Sequence, residues 1–124
     1  MDEEYLHQEL SHSIIGAAIE VHRMLGPGFS EAVYQAALEH ELKLRGIPFE
    51  SKKLVTVEYK GAAVATYYLD LVADGKIVIE LKALSELVPV HESQVIAYLK
   101  ASGLKLGLLF NFGKQRLQTK RIIY

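Results

Sequence analysis

Residues 67–82 read YYLDLVADGKIVIELK. Two apolar runs flank a DG pair, the pattern of two strands joined by a tight turn. The second run, Ile77, Val78 and Ile79, is apolar enough for a buried strand, yet Glu80 and Lys82 follow it two residues apart. Side chains at i and i+2 of a strand share a face, so the backbone itself makes these opposite charges neighbours. The turn decides what joins them. If Asp74 and Gly75 alone formed the loop, Asp70 would face Ile79. A three-residue loop, or a bulge, sets Asp70 across from Glu80. A one-residue slip reverses the faces, and the longer loop is the choice that separates charge from core. It predicts Asp70, Glu80 and Lys82 on one face, with Leu69, Leu71, Ile79 and Leu81 on the other.

Outward from this hairpin the period changes in both directions. From about Glu3 to Leu25, apolar residues recur at Leu10, Ile14, Ala17, Ala18, Val21 and Leu25, the spacing of one buried helical stripe. GPG at 26–28 stops it. Ser30 reads as the N-cap of a second helix through Tyr34, Leu38 and Leu42, closed by the RG at 45–46 and by Pro48. KLVTVEY (53–59) alternates, the KG at 60–61 turns, and AVATYYLDLVA (63–73) is a long strand. Pro89 marks the start of a third helix holding Val95, Ile96 and Leu99. KLGLLFNF (105–112) and LQTKRIIY (117–124) are short strands, the last at a sheet edge. The predicted order is ααβββαββ, an α/β arrangement with a mixed sheet flanked by helices, in a single domain spanning residues 1–124.

The chain has 124 residues, half of them hydrophobic, and three prolines, which excludes a disordered chain. It has no cysteine, so thiolate metal sites, disulfides and cysteine nucleophiles are excluded. The acidic opening MDEEYLHQEL is unlike a signal peptide, and no apolar run reaches membrane-spanning length. The expectation is a soluble cytoplasmic protein that does not enter a membrane. The net charge of −1 gives no broad electrostatic footprint. Positions 100–124 are basic without an acid, which suits phosphate contact but more often describes a solvated surface.

Two carboxylates facing each other across a sheet repel unless a cation or a proton sits between them. Magnesium takes oxygen ligands of this kind and keeps several waters. A neighbouring lysine stabilises charge at a phosphate or positions an attacking water. The plainer alternative is a Glu80–Lys82 ion pair on a solvated sheet face, and spacing alone leaves the two readings level.

The motifs in chain order resemble the PD-(D/E)xK nuclease superfamily, and within it the small proteins named for a GxxExxY signature. That signature reads GFSEAVY here, with Gly28, Glu31 and Tyr34, after EVHRMLGPG. Asp70 in YYLDLV and Glu80 and Lys82 in IELK match the nuclease core, and Gln94 and Tyr98 in QVIAY match the QxxxY element of RecB-like nucleases. Leu69 stands where the superfamily's proline would be. The resemblance implies a restriction-endonuclease-like fold. It implies Mg2+, or Mn2+, bound by Asp70, Glu80 and Glu31, with Lys82 assisting the water. Nucleic acid, DNA more than RNA, is the implied partner, cut at its phosphodiester bonds. Gln94, Tyr98 and Tyr34 are the implied substrate contacts.

The residues carry plainer readings beside these. Glu31 sits where a helix N-terminus favours an acid, and Tyr34 is as well suited to the core edge as to a ligand. His22 reads as a hydrogen-bonded packing histidine, and His91 as an outside candidate. So small a chain has little surface for recognition, which a homodimer or larger assembly would extend. The competing function is a non-catalytic nucleic-acid-binding or protein-interaction module on the same fold. A small-phosphate hydrolase is disfavoured because GPGFSE lacks the lysine and spacing of a P-loop.

Overall fold

Ile14, Ala17, Ala18 and Val21 form the buried stripe of helix α1 (Gln8–Leu25). The computed structural model describes residues 6–124, so the expected helical start at Glu3 lies outside the described residues. Helix α2 (Glu31–Leu44) follows Ser30, which takes the extended N-cap conformation without a side-chain hydrogen bond. Strands β1 (Phe49–Tyr59), β2 (Ala62–Ala73) and β3 (Ile77–Lys82), helix α3 (Pro89–Ser102), and strands β4 (Leu106–Asn111) and β5 (Gln118–Ile123) complete the order ααβββαββ. This is the expected order, with β1 beginning four residues earlier than its alternation suggested.

The sheet runs β1-β2-β3-β4-β5. Among the described strands only β3 and β4 pair in parallel, α3 carries the crossover between them, and β5 is an edge strand as expected. The helices divide between the two faces. Against α1 and α2 lie Leu71, Ile79, Leu81, Leu108 and Phe110. Against α3, which contributes Val95, Tyr98 and Leu99, lie Val72, Val78 and Leu109. Central strands covered on both faces must be apolar throughout, and β3 and β4 are, except for Glu80, Lys82 and Asn111.

The turn after β2 is the longer of the two considered. Ala73 pairs with Ile77, leaving residues 74–76 as a three-residue loop. Asp74 and Gly75 both have positive φ, 51° and 63°, conformations that aspartate tolerates and glycine favours. Extended by one pair, this register sets Asp70 opposite Glu80. Leu69 departs from its expected face. It packs with Val72 and Val78 on the α3 side, not with Leu71.

The reason is a coordinated twist in β1 and β2. Their ladder passes from Ser51↔Leu71 to Lys53↔Leu69, skipping the Lys52/Asp70 pair. Lys52 has a φ of 52°, unusual for a residue with a side chain. Before this point Phe49 and Leu71 face α1 and α2; beyond it Val55 and Leu69 face α3. Strict alternation could not foresee it.

Candidate functional site

The β2/β3 ladder ends at Leu71↔Ile79, and from there the strands part. Two backbone N–H groups would lose their partners at this fork, and the acids take them. Asp70 N donates to Glu80 Oε1 at 3.1 Å, and Leu81 N donates to Asp70 Oδ2 at 2.9 Å. Each carboxylate therefore holds the other's strand, which brings Asp70 and Glu80 together where the sheet splays. Lys82 follows on the same face of β3. Its Nζ donates to Gln94 Oε1 on α3 at 3.3 Å. Asp70, Glu80 and Lys82 share a face as expected, but α3 covers that face and Leu69, Val72 and Val78 pack on it, so charge is not separated from core.

Glu80 is only 4 % exposed. Burial raises its pKa to about 8, and the charge of Asp70 raises it too, while the Asp70 N–H and the Lys82 charge act in the opposite direction. Tyr98, one turn beyond Gln94, lies against the same face. Its hydroxyl is pushed up to about 12, first by burial and then by Glu80 and Asp70, so it stays protonated.

Two neighbours of Asp70 escaped the sequence reading. Lys52 Nζ stands 3.6 Å from Asp70 Oδ1 and donates to Gln35 Oε1 at 3.0 Å. Gln35 Nε2 in turn donates to the Asp70 carbonyl at 2.9 Å. The signals were slight. Lys52 lay just outside the strand as first bounded, and Gln35 is four residues past Glu31, on the same helical face.

Glu31 itself is exposed at the first position of α2. Among the described residues, no group of three or more His, Cys, Asp or Glu side chains is placed to hold a metal ion. The fork thus joins Asp70 and Glu80 without drawing in Glu31. Tyr34 is fully buried, stacked on Phe112 with ring centres 4.6 Å apart. Its hydroxyl donates to the Gly26 carbonyl and accepts from Phe29 N. It therefore ties down the GPG turn, a core placement far from that of a substrate contact. His22 is the packing histidine expected, with Nε2 donating to the Lys114 carbonyl at 2.8 Å. His91 Nδ1 accepts from Val88 N and so caps α3.

In kind, the donors suit a hard divalent cation. Magnesium is commonly held by one or two carboxylates with water completing its shell. The repulsion and burial that keep a proton on Glu80 are what such a cation would relieve.

A mixed sheet with two helices on one face and one on the other, splayed at paired acids, defines a restriction-endonuclease-like α/β fold. The chain belongs to the PD-(D/E)XK nuclease superfamily, whose family model matches residues 8–122. The crystal structure of SSO0001 superposes with a TM-score of 0.57 at 22 % identity, over 74 % of this chain and 48 % of that one. The likeness is one of fold, and this chain spans about half the length of that protein. No curated protein matches. Among the described residues, no helix is long and apolar enough to cross a membrane.

Proposed function

We propose that the chain is a GxxExxY-type nuclease with the QxxxY element, hydrolysing nucleic-acid phosphodiester bonds, DNA in preference to RNA. The observation that carries this reading is the reciprocal hold of Asp70 and Glu80 at the strand fork, with Lys82 beside them. Asp70 and Glu80 would hold Mg2+ or Mn2+, with Glu31 of α2 the third ligand that the family pattern implies. When bound, the metal supplies Lewis-acid stabilisation of the phosphate and a more acidic water. The protein's own groups do the rest. Gln94 orients the Lys82 ammonium, which offers a positive charge to the attacking water and the phosphate. Tyr98, kept protonated, presents a neutral hydroxyl beside the acids.

The test is nicking or degradation of plasmid and single-stranded DNA with Mg2+ or Mn2+. Wild type is expected to cut, and Lys82→Ala to lose at least about a hundredfold in rate, as for loss of an electrostatic catalytic group, while remaining folded. One observation favours the binding module instead, namely that among the described residues no third acidic ligand joins the pair. If wild type cuts neither DNA nor RNA with either metal, that second reading replaces the first.

A further inference from the structure

The β1–β2 hairpin and α3 border a cavity of about 660 Å3. Thr56 and Glu58 of β1 and Tyr67 of β2 form one side, and Ala97 and Lys100 of α3 the other. Tyr67 is 44 % exposed although its ring meets that of Tyr98, with centres 5.5 Å apart and planes at 53°. Tyr98 lies one helical turn from Gln94, which accepts from the Lys82 ammonium. Tyr98 thus stands between the cavity and the residues around Lys82.

We propose that this cavity receives an unpaired nucleobase, making single-stranded nucleic acid the substrate class; the assignment of a substrate rests on the nuclease reading of Asp70 and Glu80. The volume falls within the range of small-molecule sites. An accessible aromatic face beside a cavity is the feature that stacks a base, and it does so with little regard to sequence. The lining chemistry selects the base over the phosphate. Lys100 lines the cavity opposite an acid, Glu58, and its ammonium also lies 5.6 Å from the Tyr124 ring. A phosphate there would meet the Glu58 charge, whereas a base edge offers N–H donors to that carboxylate. A base within a duplex has both faces stacked and its edge paired, and must be unstacked and unpaired before it can enter. The hairpin twist at Lys52/Asp70 matters here as well. It turns odd-numbered β2 residues beyond Asp70, Tyr67 among them, towards α3.

The experiment uses the full chain in EDTA, so that no cleavage intrudes. A single strand carrying 2-aminopurine is titrated beside the same sequence as a duplex. Wild type is expected to quench 2-aminopurine fluorescence and to prefer the single strand. Tyr67→Ala should weaken single-strand binding roughly 5- to 150-fold, the range for loss of one base–aromatic stack. Tyr67→Phe should keep it. Ala97→Leu, which fills the cavity from the helix side, should weaken it without touching the tyrosine. Equal affinity for duplex and single strand, or binding indifferent to Tyr67→Ala and Ala97→Leu, overturns the proposal even if the protein cuts DNA. Conversely, Tyr67-dependent binding by a protein that cuts nothing with either metal sustains the cavity and overturns the nuclease reading.

Discussion

At the scale of single residues, Glu80 is the most consequential side chain, because it is an acid in a strand otherwise built for burial. Its pKa in the fold, about 8, stands above the ordinary 4.5 through burial and the neighbouring Asp70. The sign of the linkage follows. Between these values the folded chain keeps a proton that the unfolded chain has released, so stability falls as pH rises through that window and levels off above it. Glu80→Gln keeps the shape and the acceptor oxygen for Asp70 N but cannot ionise. Its stability should therefore match wild type near pH 5 and exceed it by a margin that grows up to about pH 8. Urea midpoints measured across this range check the point, and parallel curves for the two proteins would sink it. Asp70 has Lys52 at 3.6 Å as a counter-charge.

At the scale of elements, the start of α2 shows how a motif divides into separate physical tasks. Gly28, with a φ of 115°, and Gly26, at 67°, let the chain turn between α1 and α2. Tyr34 then bonds both sides of that turn from within the core. Tyr34→Phe preserves the stack on Phe112 but leaves the Gly26 carbonyl and the Phe29 amide without this partner. It should cost about 1–3 kcal/mol in chemical denaturation, the price of two unmet backbone groups, with DNA affinity unchanged. A large loss of affinity at full stability would return Tyr34 to the substrate contacts. The order of elements was legible in the sequence because helical and strand periods alternate cleanly and KG and DG mark the hairpins. The register after β2 was legible because one choice alone put Asp70 on the face of Glu80 and Lys82, although that face is itself packed against α3. The reversal at Leu69 was not, since it depends on the unusual backbone of Lys52, a residue with no turn chemistry of its own. Nor was Gly107, where an added methyl would come within 2.5 Å of Val95 Cγ1: the closeness of α3 to β4 is a tertiary fact. Among site residues, spacing made Glu80 and Lys82 neighbours, whereas Lys52 and Gln35 reach Asp70 only through the folded chain.

At the scale of the whole molecule, the proposed metal site would couple binding at the paired acids to proton release and to stability. A divalent cation between Asp70 and Glu80 must displace the proton that Glu80 retains at neutral pH, so affinity for Mn2+ should rise with pH up to about 8 and then level off. Calorimetric titration in two buffers of different ionisation enthalpy would register the released proton as a buffer-dependent heat. Because the unfolded chain has no such pair, bound metal should also stabilise the fold, by about 2.7 kcal/mol at a free concentration of one hundred times Kd. Asp70→Asn removes one ligand charge while leaving an acceptor for Leu81 N, and should abolish both the heat and the stabilisation. Glu80→Gln should do the same while also removing the pH dependence of stability, which separates loss of the ligand from loss of the fold. A wild-type titration curve unchanged in Asp70→Asn would place the metal elsewhere, and the strand fork would then be a structural device that lets two acids replace the hydrogen bonds of a parted ladder.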